Sequence, residues 1–213
     1  MKITWYGHSC FLIEGGDVRI LTDPFDAKVP YDFPDLPVAI VTVSHDHFDH
    51  NAVDRVAGRP IVVKGVGERT AHGIDFIGIH SFHDDKEGAE RGENTIYAFD
   101  LEGVRIAHLG DLGTSLDEGQ IKALGDVRIL LIPVGGHFTI DAETASRIAK
   151  DLRGVKIVIP MHFKTDRIAD WPIETVEPFA KMMENVKRIG GPSVEVAADR
   201  IPESMEVWIL EHA

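Results

Sequence analysis

Residues 38–50 read VAIVTVSHDHFDH. The first six, with Thr42 as their one polar side chain, have the β-branched, apolar composition of a buried strand. The next seven, Ser44 to His50, hold five ionisable side chains: His45, Asp46, His47, Asp49 and His50. Unpaired charge is costly to bury, so such a cluster at the exit of a buried strand is either fully solvated or engaged with something.

The pairing of an apolar run with an ionisable exit recurs along the chain. Runs rich in Val and Ile predict strands at ITWY, CFLIE, VRILT, VAIVTV, PIVVK, IDFIGI, NTIYAFD, VRIAHL, VRILLIPV, VKIVIP and MEVWIL. VRILT delivers Asp23, VAIVTV delivers the histidine cluster, and IDFIGIHSF delivers His83 and Asp84. VRIAHL delivers Asp111, RILLIPV delivers His137, and KIVIP delivers His162. Strand ends on a rigid sheet can bring together side chains far apart in sequence, so a shared metal centre is the economical explanation. Helices are expected at about 51–57, 116–124, 141–152 and 173–189. The third is the best signalled, with Asp141 as N-cap, Ala145, Ile148 and Leu152 on one face, and Gly154 as stop. Many strands and few helices predict an α/β protein of layered sheets with helices outside.

Composition narrows the functional classes. A chain of 213 residues is expected to form a single domain, 1–213, and 44% hydrophobic with 27% charged residues is ordinary for a soluble protein. No apolar run approaches the roughly 20 residues of a membrane span. Gly7 and His8 interrupt the N-terminus too early for an export signal, so a cytoplasmic location is expected. Cys10 is the single cysteine, which excludes an internal disulfide and leaves histidines and carboxylates as the ligands for any metal. A net charge of −13 without a Lys/Arg cluster disfavours nucleic acid and anionic membrane as partners. The rival readings are a nuclease or phosphodiesterase, which would need such a basic surface, and a non-catalytic or redox metal-binding protein. Oligomeric state has no signature here.

Imidazole and carboxylate suit zinc, manganese and iron. In extended chain His45 and His47 project to one side and can grip one ion, while Asp49 and His50, past a turn, can reach a second. Two close cations need a bridging carboxylate, for which Asp111 is placed. Such a pair activates water and polarises a substrate oxygen, which is hydrolytic chemistry at neutral pH.

His45-x-His47-x-Asp49-His50, preceded by Asp23 and followed by His83, Asp111 in HLGDLG and His162 in PMHF, resembles the metallo-β-lactamase superfamily in the order of its five motifs. GHSCFLI, TDPF, RGENT, PVGGHFTIDA and IPMH are similar to small stand-alone members of its ascorbate-6-phosphate lactonase-like branch. That resemblance implies a four-layer αββα sandwich with two face-to-face mixed sheets and the site at one edge between them. It implies a metal-dependent hydrolase in which metal-activated hydroxide attacks an ester, lactone or phosphoester of a small molecule. His45, His47 and His83 would hold the first divalent ion, and Asp49, His50 and His162 the second. Asp111 would bridge and Asp49 would orient the nucleophile. Zinc is the first expectation, with manganese and iron served by the same ligands.

His80, three residues before His83, competes with it for the third-motif role. Asp23 would be an outer-shell support, although Asp before Pro24 also suits a plain turn. His8 and His108 read equally as buried structural histidines or as outer-shell partners. His137, Arg91 and Lys164 are the candidates for substrate contact, the two cations suiting an anionic group. For Arg91 a salt bridge to nearby carboxylates is the simpler reading.

Overall fold

The computed structural model describes residues 1–213. Its strands, in chain order, are β1 (Lys2–Trp5), β2 (Phe11–Gly15), β3 (Val18–Thr22), β4 (Ile40–Val43), β5 (Ile61–Lys64), β6 (Gly67–Ala71) and β7 (Ile74–Phe82). They continue with β8 (Glu93–Leu101), β9 (Val104–His108), β10 (Ile129–Pro133), β11 (Ile157–Met161), β12 (Val186–Arg188), β13 (Ser193–Glu195) and β14 (Glu206–Ile209). Three α-helices accompany them: α1 (Glu118–Leu124), α2 (Ala142–Asp151) and α3 (Glu177–Met182).

Two mixed sheets result, a six-stranded one ordered β13-β1-β2-β3-β4-β5 and an eight-stranded one ordered β12-β14-β11-β10-β9-β8-β7-β6. Alternation along the strands of the smaller sheet explains how they pack. Ile3, Trp5, Phe11, Ile13, Ile20 and Ile40 face the larger sheet in the main core, while Leu12, Leu21, Val41 and Val43 point to the opposite face. In the larger sheet β10 and β11 are buried along their whole length, because the sandwich covers one face and helices the other. α2 packs on β10 and α3, and α1 on β7. The sandwich is the expected fold. Its outer layer over the small sheet, however, is made of loops: Phe25, Val29, Tyr31, Val38, Val56, Ile168 and Ile173 bury its far side.

All eleven expected strands form, and β6, β12 and β13 are additional. α2 begins at Asp141, whose carboxylate accepts from Thr144 N at 2.8 Å, and α1 has a full capping box between Asp117 and Gln120. The other two helical expectations need correction. At 51–57 a single 3₁₀ turn, Val53–Arg55, forms, since Ala52 N donates to Pro24 O and ties the segment to the neighbouring loop. At 173–189 the helix is short: Pro178 restricts its start, and past Met183 the chain pairs with β14 as β12 instead of coiling. No helix is long and apolar enough to cross a membrane.

Strand direction positions the site. β7, β9, β10 and β11 run the same way, and β3 and β4 are parallel to each other. The ionisable exits of these strands therefore gather at one edge of the sandwich.

Candidate metal centre

Each functional side chain sits one to a few residues beyond a strand. Several of those residues adopt left-handed backbone: His8 (φ 53°), Asp23 (φ 41°) and His162 (φ 50°). Asp and His enter this region more readily than most residues, and a single such residue turns the chain sharply enough to aim a side chain inward. Gly110, also left-handed (φ 56°), lies against Asn94 and Ser44, where a Cβ would stand 2.4 Å from Asn94 Oδ1. This close approach brings Asp111 into the site from β9.

Two groups of potential ligands result. In one, single donor atoms of His45, His47 and His83 lie within 4.8 Å of one another, and in the other those of His8, His50, Asp111 and His162 do. Asp111 Oδ2 is the joint between them, 3.2 Å from His50 Nε2, 3.2 Å from His162 Nε2 and 3.4 Å from His83 Nε2. His83 is thus the third-motif histidine brought to the group. His80 lies outside, 43% exposed and 3.6 Å from Glu93. Asp49 Oδ2 stands 3.8 Å from His50 Nε2 and 3.1 Å from His8 Nε2.

A network behind the ligands fixes their tautomers. Asp23 Oδ2 is 2.9 Å from His50 Nδ1 and accepts from Ser44 Oγ at 2.5 Å, while its Oδ1 accepts from Ser44 N. With its hydroxyl proton given to Asp23, Ser44 Oγ accepts from His45 Nδ1 at 2.9 Å. In the neutral tautomers that these bonds select, His45 and His50 carry a proton on Nδ1 and turn the lone pair of Nε2 toward the group. Asp111 is held likewise. Ser9 Oγ donates to its Oδ1 at 3.2 Å, and its backbone N–H donates to Asn94 Oδ1 at 3.0 Å. Asn94 in turn donates to Ser81 and Leu109. His108 Nε2 donates to the Ser9 carbonyl, since its Nδ1 accepts from Gly110 N. His108 therefore ties down the turn between β1 and β2 that carries Ser9.

The electrostatics fit a cation. Burial would raise the Asp111 carboxyl, but the imidazoles of His162 and His50 hold it well below the usual carboxylate range. Burial drives His45 down to about 2, assisted by His50, and drives His8 down to about 4, assisted by His162. For His50 the order reverses: burial opposes the charged form, yet Asp111 and Asp49 raise it well above the ordinary value. His45 Nε2 is buried with no hydrogen-bond partner, as are Nδ1 of His8, His83 and His162. Buried polar atoms without partners are uncommon. Of these, His45 Nε2 is the nitrogen turned toward the group, while Nε2 of His83 and His162 faces the Asp111 carboxylate; imidazole nitrogens converging on a buried carboxylate form the donor set of zinc, manganese or iron, so the residues fit divalent cations.

A cleft of about 630 Å³ opens onto both groups. Its floor is His47, Asp49, His83, Asp111 and His162, and Phe48, Phe138 and Trp171 form its walls. Arg91 is its one Lys or Arg. Four backbone amides, of Lys86, Gly88, Glu90 and Arg91, donate to the Asp84 carboxylate, so the RGENT segment reaches the cleft on a rigid loop. His137 is exposed and lines an adjoining depression with His83 and Arg91. Lys164 requires a correction: the left-handed turn at His162 sends it to a separate depression beside Phe163, Arg188 and His212, away from the cleft.

Ser44, Ser9 and Asn94 are the supports that reading the sequence missed. Ser44 and Asn94 stand inside segments already singled out, SHDHFDH and RGENT, as the polar residues not assigned a task. The aromatic walls carried no signal, because apolar residues in loops read as core.

The chain is similar to known proteins over most of its length. The family described as beta-lactamase superfamily domain matches residues 2–162. A UPF0173 metal-dependent hydrolase of Pyrococcus furiosus is 30% identical over 97% of this chain and 100% of its own, and one of Thermococcus kodakarensis 29% over the same shares. A crystal structure from Thermotoga maritima, described as a proposed Zn-dependent hydrolase of the metallo-β-lactamase superfamily, superposes with a TM-score of 0.83. It is 34% identical, covering 99% of this chain and 98% of that one.

Proposed function

The chain belongs to the beta-lactamase superfamily domain family, and from that membership and the paired donor groups we propose that it is a metal-dependent hydrolase of small-molecule esters, lactones or phosphoesters. One observation carries the reading: the Asp111 carboxylate stands between two sets of histidines, all buried except His47, and within 3.4 Å of His50, His83 and His162. His45, His47 and His83 would hold one ion, and His50 and His162 another, with Asp111 shared. Divalent ions held there supply Lewis acidity to the substrate's scissile group and lower the pKa of water from 15.7 to about 7.

The chain's own residues do the remainder. Asp49 faces the cleft and accepts a hydrogen bond from the attacking water, orienting it. Phe48, Phe138 and Trp171 enclose the apolar part of the substrate and limit solvent, which strengthens every electrostatic contact inside. Arg91 binds an anionic group on the substrate. A cleft of about 630 Å³ matches a small molecule, and one cation suits one anionic group, whereas a nucleic-acid strand calls for clustered Lys and Arg.

The test is hydrolysis of an aryl ester, a lactone and a phosphodiester probe by protein stripped with a chelator and then reloaded. Activity lost on stripping and restored by Zn²⁺ or Mn²⁺ supports the reading. Hydrolysis undiminished by stripping contradicts it.

A further inference from the structure

His8 occupies the turn between β1 and β2, in the left-handed backbone that follows Gly7 (φ 94°). That turn drives its ring inward, and the residue is only 1% exposed. Its Nε2 stands 3.1 Å from His50 Nε2 and 3.1 Å from Asp49 Oδ2. An outer-shell partner touches the far nitrogen of a ligating histidine, as Asp23 touches Nδ1 of His50. His8 instead meets the near nitrogen, the one that His50 turns toward the ion. Two imidazole nitrogens facing each other at this distance, with Asp111 and His162 completing a group of donors within 4.8 Å, share a common cation naturally. Asp49 is the less central of the two candidates, its oxygen 3.8 Å from His50 Nε2. The Nδ1 of His8 is buried without a partner, as are those of His83 and His162, so the ring is placed by what its Nε2 meets.

We propose that His8 is a direct ligand of the second divalent cation, completing a site of three imidazoles and the Asp111 carboxylate while Asp49 stands one step out, against His8. This rests on the reading that the two donor groups hold metal. It makes the sites unequal. The second is assembled from four buried residues, whereas His47 of the first is exposed, so the second fills first and releases its ion last.

The experiment is calorimetric titration of Zn²⁺ into metal-free wild-type, H8N, H8G and D49N proteins, each checked for folding by circular dichroism. Asn and Gly both tolerate the left-handed backbone, so either variant keeps the turn if the other fails to fold. The wild type is expected to show two binding events of unequal affinity. In H8N the tighter event weakens by more than the about 10–100-fold that loss of an outer-shell partner costs, and the weaker event is unchanged. Imidazole added to H8G restores the tight event, and D49N retains it within about 100-fold. Tight binding preserved in H8N, or a loss in H8G that imidazole does not rescue, overturns the proposal. A wild type that binds no Zn²⁺ overturns the metal reading beneath it, which is a separate result.

Discussion

Asp23 governs two histidines at once, His50 directly and His45 through the Ser44 hydroxyl. The two belong to different donor groups, so substitutions along this short chain of hydrogen bonds are separable. D23N removes an acceptor needed by both branches and is expected to weaken Zn²⁺ binding about 10–100-fold at both sites. S44A breaks only the branch to His45 and weakens the first site alone. Calorimetry distinguishes the two patterns, and equal loss at both sites in S44A would contradict the assignment. Arg91 works on the substrate side. R91A is expected to raise KM for anionic esters at least about tenfold, consistent with loss of one charge-assisted contact, while leaving neutral esters unaffected. R91K would recover part of this loss, and an equal effect on neutral substrates would remove Arg91 from the anchor role. Most of these residues were legible one by one, because a metal centre demands His and Asp at strand ends and few other pressures place them there. His8 was legible only as ambiguous, since a lone histidine in a turn carries no spacing signal, and its approach to His50 exists only after the sheets have packed.

Strands announced themselves in proportion to burial. A fully buried Val, Ile or Leu contributes about 1.5–3 kcal/mol, so interior strands must be apolar and are conspicuous. β6, β12 and β13 each lie at a sheet edge and bury only Ala71 among them; GERTA, VKR and SVE accordingly carry no apolar pattern. Edge pairing also explains the shortened third helix, whose tail joins β14 because an unfilled strand position awaited it. Two predictions belong to connecting elements. The loop at 84–91 hangs on the Asp84 carboxylate, whose one oxygen accepts from Lys86 and Gly88 and the other from Glu90 and Arg91; in D84N an amide nitrogen that cannot accept replaces one oxygen, so hydrogen exchange should accelerate at one of these two pairs, and unchanged protection at all four would contradict this. G110A places a methyl against Asn94 in left-handed backbone and is expected to cost about 1–3 kcal/mol or more in stability by denaturant titration. A neutral outcome would mean that the β9 exit relaxes without penalty.

Over the whole molecule, the chain's ends are tied into the sandwich. The Met1 ammonium donates to Glu102 Oε2 at 2.5 Å, and Glu102 Oε1 accepts from Gly16 N. The N-terminal ammonium and this amide hold Glu102 below its ordinary value of 4.5, so its contribution is present above that pH and is lost as pH falls through the lowered value. E102Q should therefore flatten the acid limb of the stability profile; an unchanged acid limb would contradict the contact. Two sheets whose exits meet at one edge leave a single rim where seven donor residues from five separate segments come together. Anomalous diffraction from crystals grown with Zn²⁺ tests that convergence most directly. Two peaks are expected, one among His45, His47 and His83 and one among His8, His50 and His162, on either side of the Asp111 carboxylate. Zinc bound elsewhere, with no density at this rim, would contradict it.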